Sequence, residues 1–233
     1  MPSLPTGPAL FFDFDNTITL GDVLDRVIER YSASEAWRDW EAEWQAGRMN
    51  TPECLRRQLG DLRVSPEDLH RFMSNVDIDP AFPSIVAWAA ANGADLRILS
   101  DNFSPLIHAI LDHQGLNTLP VFANEFDFTA GRLEARFPFR DPACARCAHC
   151  KAQHLRVAER RPRIYVGDGL SDVCPSLVAE VVFAKDSLAA ELERRGVPFR
   201  PYRALDDVLR YLNEHHRGRC RAGASNARGH RAS

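Results

Sequence analysis

The apolar run Ala9-Leu10-Phe11-Phe12 ends abruptly at Asp13. Four apolar residues in a row, with no alternation, suit a strand buried on both faces, as in a parallel sheet. Two later segments repeat the pattern. Ala94 to Leu99 runs into Ser100-Asp101-Asn102, and Arg163-Ile164-Tyr165-Val166 runs into Gly167-Asp168-Gly169. In open α/β sheets, ligands bind outside the carboxyl ends of the strands. Three strands that end on polar residues or glycine therefore predict one shared site.

About 70 residues of different character separate the first two strands. Val23, Leu24, Val27, Ile28 and Tyr31 repeat at helical spacing, and Ser34 to Trp44 is helical and rich in tryptophan. Thr51-Pro52-Glu53 and Ser65-Pro66-Glu67-Asp68 each open a helix, with proline near its first turn. The pattern predicts a helical cap over 21–82, inserted into a core formed by 9–20 and 83–213. Trp37, Trp40 and Trp44 read as cap core rather than as a ligand cage. Val121 to Phe128 and Arg132 to Phe137 alternate around Thr129-Ala130-Gly131, which predicts a β-hairpin. Residues 214–233 are basic and rich in Gly, Ala and Ser, and read as a disordered tail.

Composition narrows the function classes. A net charge of −3 argues against a nucleic-acid partner. No apolar run nears the roughly 20 residues that span a membrane, and MPSLPTGP lacks the plan of a signal peptide. The expected location is cytoplasmic. Oligomeric state stays open.

The chemistry gathers at the strand ends. Asp13 and Asp15 are two residues apart, so in extended chain their carboxylates share a side. Asp168 and Asp172 add two more acids in Gly167-Asp168-Gly169-Leu170-Ser171-Asp172. Four clustered carboxylates repel unless a cation or proton intervenes. Oxygen ligands alone suggest Mg²⁺, which commonly partners phosphate.

The ordered set Asp13-Phe14-Asp15-Asn16-Thr17, a strand ending in Ser100, then Lys151, then Gly167 to Asp172 resembles the haloacid dehalogenase superfamily. Within it the chain is similar to the phosphoserine-phosphatase-like subgroup. The resemblance implies a Rossmann-like doubly wound parallel-sheet α/β core with an inserted helical C1-type cap and a small β-hairpin. It implies a Mg²⁺-dependent phosphatase that acts on a small phosphorylated metabolite. Asp13 would be the nucleophile that forms an aspartyl-phosphate, and Asp15 the general acid and base. Ser100 would bind phosphoryl oxygens, Lys151 would neutralise charge, and Asp13, Asp15, Asp168 and Asp172 would serve the metal. A phosphotransferase or phosphomutase on the same core is the alternative, and a non-catalytic metal-binding protein a remoter one.

Substrate choice stays open at this point. Gln58 and Asp22 stand where phosphoserine phosphatases carry arginine and glutamate, and Arg56 is the candidate to substitute. The segments around Ser100-Asp101-Asn102 and Lys151 resemble methionine-salvage phosphatases and phosphoethanolamine/phosphocholine phosphatases more closely. Asp101 either faces an ammonium-bearing leaving group or is held by a local backbone hydrogen bond. Three cysteines in Asp141-Pro142-Ala143-Cys144-Ala145-Arg146-Cys147-Ala148-His149-Cys150-Lys151 carry three readings. They are a structural Zn²⁺ at Cys144, Cys147 and Cys150, a reversible disulfide, or reduced thiols that shape the loop before Lys151. A zinc fourth ligand would be His149, His154 or Cys174, because the cysteines crowd into seven residues and no separate Cys-x-x-Cys pair lies elsewhere.

Overall fold

A computed structural model describes residues 7–129 and 132–216. Seven strands form one sheet: β1 (Ala9–Phe12), β2 (Asp95–Phe103), β3 (Val121–Thr129), β4 (Arg132–Arg136), β5 (Arg163–Gly167), β6 (Val181–Ala184) and β7 (Arg200–Pro201). Their spatial order is β4-β3-β2-β1-β5-β6-β7, and every pairing is parallel except β3 with β4. The architecture is thus α/β.

β1 lies at the centre, and all four of its side chains are fully buried. Leu10 and Phe12 join the main core on one face, while Ala9 and Phe11 pack with Leu155 and Tyr165 on the other. That two-sided burial explains the unbroken apolar run. The chain adds β2 and β3 on one side of β1, then β5 and β6 on the other. The order therefore reverses beside β1, which is where α/β sheets open a crevice for a ligand.

Four helices fill the segment between β1 and the next core helix: α1 (Val23–Tyr31), α2 (Ala36–Gln45), α3 (Thr51–Asp61) and α4 (Pro66–Met73). Their starts follow capping chemistry. Asp22, Asn50 and Ser65 each accept a backbone N–H of the first turn of α1, α3 and α4. Six more helices complete the chain: α5 (Phe82–Ala91), α6 (Ser104–His113), α7 (Lys151–Val157), α8 (Val173–Ser176), α9 (Asp186–Arg194) and α10 (Leu205–His216).

The structure departs from sequence expectation in three places. β2 runs on to Phe103, so Ser100, Asp101 and Asn102 belong to the strand rather than to a following loop. No residue of α2 is buried; Trp37, Trp40 and Trp44 are half-buried on a thin helical layer too shallow to enclose indole rings. α10 continues through His216, so residues 214–216 are helical, while 217–233 of the basic segment lie outside the described residues. The hairpin pairs as β3 with β4, and its tip at 130–131 is also outside them. Among the described residues no helix is long and apolar enough to cross a membrane.

Candidate active site

Parallel pairing of β1 with β2 and β5 brings the three polar strand ends together. The ladder continues into the first motif, where the Asp13 N–H donates to the Val166 carbonyl at 2.9 Å. Lys151 opens α7 and is only 2% exposed. Its Nζ donates to Asp13 Oδ1 at 2.6 Å, Asp172 Oδ1 at 2.7 Å and Ser171 Oγ at 3.3 Å. Burial alone would pull the ammonium pKa down, but the carboxylates of Asp13, Asp172 and Asp101 outweigh it and hold the pKa well above the ordinary value. A buried charge persists only when paired in this way.

Asp13, Asp168 and Asp172 each offer an oxygen, and the three lie within 4.8 Å of one another. Burial raises the Asp13 pKa far above the usual range, and the Asp172 carboxylate adds to it against the pull of Lys151. Asp168 is raised to about 6, by burial and then by Asp172. Such mutual repulsion is what a divalent cation relieves, and all-oxygen donors suit a hard one. Asp172 is the least free of the three. Oδ1 accepts from Lys151 and from the Tyr165 hydroxyl at 2.6 Å, and Oδ2 accepts from the Asp168 and Gly169 N–H groups at 3.0 and 3.1 Å. Gly167 makes room for this carboxylate, since a Cβ there would meet Asp172 Oδ2 at 2.5 Å.

Asp168 is oriented from the first motif. Asn16 Nδ2 donates to its Oδ2 at 2.8 Å and Thr17 Oγ1 to its Oδ1 at 2.9 Å. Asn16 adopts φ 51°, in the left-handed region that asparagine tolerates better than most residues. That turn also carries Asp15 out over the cleft. Asp15 Oδ1 accepts from Val23 N–H and from Asn102 Nδ2, both at 3.0 Å. Burial, and then the nearby Asp22 carboxylate, raise its pKa well above the usual value.

Asp13, Asp15, Ser100, Asp101, Asn102, Lys151 and Asp168 share a cleft of about 510 Å³. Asp172 lies behind its wall, fully buried. Ser100 is 1% exposed and accepts the Asn102 N–H on its hydroxyl at 3.0 Å. Asp101 Oδ1 accepts the His149 N–H at 3.1 Å, so a backbone hydrogen bond holds it. Arg56 does not line the cleft; it is exposed, and its guanidinium lies 4.9 Å from the Phe137 ring centroid. Asp22, Asp25, Glu41, Trp44 and Gln58 form the end of the cleft contributed by the helical insert.

Cys144, Cys147 and Cys150 do not converge as metal ligands. Among the described residues, the acid trio is the one group of three such ligand atoms close enough to hold an ion, so the zinc reading gains no support. Cys147 N–H donates to Cys144 Sγ at 3.4 Å, and the Cys147 thiol meets that of Cys174 on α8. The five described cysteines are free thiols. Sequence reasoning assigned no part to Asn16, Thr17 or Tyr165. Asn16 and Thr17 stood inside the quoted first motif, but their partner is some 150 residues away in sequence. Tyr165 read simply as strand core.

The fold and this cluster define a phosphatase of the haloacid dehalogenase superfamily. Two solved structures of phosphoserine phosphatase share the fold. A substrate-bound complex superposes with a TM-score of 0.69 at 18% identity, covering 88% of this chain and 98% of that one. A phospho-aspartyl intermediate analogue gives 0.67 at 18% identity, with 88% and 99% covered. A family model described as "Putative Phosphatase" matches residues 9–196, and the chain belongs to that family. A curated relative, 2-hydroxy-3-keto-5-methylthiopentenyl-1-phosphate phosphatase of Brevibacillus brevis, is 25% identical over 211 residues, 88% of this chain and 95% of its own.

Proposed function

We propose that the chain hydrolyses the phosphomonoester of a small metabolite with Mg²⁺, through an aspartyl-phosphate on Asp13. The observation that carries this reading is the buried Lys151 bridging Asp13 and Asp172 at 2.6 and 2.7 Å, with Asp168 beside them. Asp13 and Asp168 would hold the cation directly, and Asp172 would set their positions, since its oxygens already accept four hydrogen bonds. When bound, Mg²⁺ supplies positive charge against the phosphoryl oxygens.

Lys151 fixes Asp13 Oδ1, which leaves Oδ2 to attack phosphorus. A bond forms from Oδ2 to phosphorus as the bond to the leaving oxygen breaks. Asp15 gives its proton to that oxygen, a role suited to a carboxyl whose pKa is raised. The resulting carboxylate then takes a proton from water as the water oxygen attacks the phosphoryl group and frees Asp13. Ser100 and Lys151 bind phosphoryl oxygens, so positioning and charge carry the rate. The helical insert over 21–82 acts as the cap that selects the leaving group. Five free thiols fit a reducing, cytoplasmic setting.

The curated relatives' methylthio keto-sugar phosphate is one substrate within this reading. A second is favoured by the cleft's far end, where Asp22, Asp25 and Glu41 gather beside Trp44. Among the described residues, no arginine lines the cleft to take a carboxylate. Asp25 is pushed up to about 7, by desolvation first and then by Asp22, Glu41 and Glu29. A cationic group there would relieve the repulsion, which points to the phosphate of an ammonium-bearing alcohol. Steady-state hydrolysis of p-nitrophenyl phosphate, phosphocholine, phosphoethanolamine, phosphoserine and sugar phosphates, with Mg²⁺ and with EDTA, tests both levels. Absence of Mg²⁺-dependent turnover on every ester rejects the phosphatase reading. A preference for neutral esters over the cationic pair rejects the second.

A further inference from the structure

The strand end that carries Ser100 is irregular. The register of β2 against β3 shifts between Leu99 and Phe103, so backbone groups there need partners outside the ladder. Side chains supply them. Asn124 Nδ2 donates to the Asp101 carbonyl at 2.5 Å, and the Phe103 N–H donates to Asn102 Oδ1 at 2.7 Å. The Ser100 carbonyl is met by His149 Nδ1 at 2.9 Å. His149 is 2% exposed, and its Nε2 lies 2.9 Å from His154 Nε2.

These contacts determine the proton positions. A carbonyl oxygen only accepts, so His149 Nδ1 carries the hydrogen. In a neutral ring Nε2 is then an acceptor, and His154 must donate from its own Nε2. Burial lowers His149 to about 3 and His154 to about 4, so both rings are neutral near pH 7. The Phe139 ring centroid lies 5.2 Å from each imidazole, and Phe122 lies 4.7 Å from His154. Aromatic walls leave the pair few alternative partners.

We propose that His149 is a positioning residue for the phosphoryl subsite, locking Ser100 and Asp101 to the turn that delivers Lys151, in the Nδ1–H tautomer that the Ser100 carbonyl requires and His154 supports. The tie has two ends. The His149 ring and N–H hold Ser100 and Asp101, while the His149 carbonyl accepts the Lys151 N–H at 3.0 Å. The role rests on the phosphatase reading, because the subsite it orders is the one assigned to phosphate.

Nitrogen-15 NMR of the imidazoles in the full wild-type chain tests the tautomer without any assay of turnover. His149 should be protonated on Nδ1 and His154 on Nε2; a His149 protonated on Nε2 overturns the proposal. His149→Phe keeps ring volume and removes both hydrogen bonds of the ring. It should raise KM for p-nitrophenyl phosphate and Ki for inorganic phosphate about tenfold, with kcat falling less. An unchanged KM and Ki in the folded variant overturns the proposal. His149→Asn places an N–H near the former Nδ1, whereas His149→Gln does not. Asn should therefore restore most of the phosphate affinity, and equal values for Asn and Gln count against the role even if the Phe variant does not fold. His154→Phe should yield mixed His149 tautomers and a KM raised about threefold; a tautomer left unchanged refutes the part given to His154. Should the wild-type chain hydrolyse no phosphoester, the phosphatase reading fails, while the tautomer and the binding of inorganic phosphate still judge this tie.

Discussion

The two ends of the cleft are built differently. At the inner end, Lys151, Asp13 and Asp172 are buried and share one network of hydrogen bonds. Lys151 Nζ and both Asp172 oxygens there have partners at the end of β1, on β5 or in the turn that follows β5. At the outer end, Asp22 caps α1 while Asp25 and Glu41 lie on α1 and α2; Asp22 and Asp25 are open to solvent on one side, yet the cleft crowds their carboxylates enough to raise both pKa values. Under the proposed function, the contrast separates chemistry from selection. Charge stabilisation in phosphoryl transfer requires groups that do not reorganise, so that end is locked. Recognition of a leaving group tolerates adjustable side chains, so that end is loose.

The largest effect should come from the locked end. Asp13→Asn removes the proposed nucleophile and should lower kcat by about 10⁴-fold or more while leaving the fold intact. Steady-state kinetics with circular dichroism checks it, and substantial residual turnover would break the contrast at its centre. Lys151→Met should lower kcat by about 10³-fold. It also leaves Asp13 and Asp172 buried without their cation, so chemical denaturation should reveal a loss of about 3–5 kcal/mol.

A pH series sharpens the comparison further. The folded pKa of Asp168 is about 6, above the roughly 3.9 of an unfolded aspartate. The native state therefore binds more protons than the unfolded state between these values. In EDTA, Tm should fall as pH rises from about 4 to about 6, and Mg²⁺ should remove the part of that slope that Asp168 contributes. A Tm that rises over the same range in EDTA contradicts the assignment. The smallest effect belongs to the loose end. Asp25→Asn and Glu41→Gln should raise KM for phosphocholine about three- to tenfold and leave p-nitrophenyl phosphate unchanged. Equal changes on both esters would assign these acids to folding rather than to selection.

Much of the locked end was legible from sequence because its residues follow buried strands directly. Asp13 after Phe12, and Asp168 after Gly167, inherit their places from strand geometry. Two helix starts of the insert were legible too, at Thr51-Pro52 and Ser65-Pro66, through proline near the first turn. Arg56 shows where local reading runs out. Its position on α3 is set by helical spacing, but packing turns it onto Phe137, away from the cleft. Trp44 is the converse case: it was read as core, yet it lines the cleft and donates to Thr51 Oγ1 at 2.9 Å.

Cys144 to Lys151 divides the two kinds of information most clearly. The sequence alone determined the class of fold, because apolar runs and turn chemistry act over a few residues, and the family resemblance supplied the order of the motifs and the place of Lys151 among them. Tertiary structure alone decided that the cysteines form no shared metal site and that His149 reaches back to Ser100. It also decided that Asn16 and Thr17 hold Asp168. These pairings join segments brought together only when β1, β2 and β5 align, and no local pattern encodes a hydrogen bond between residues so far apart in the chain.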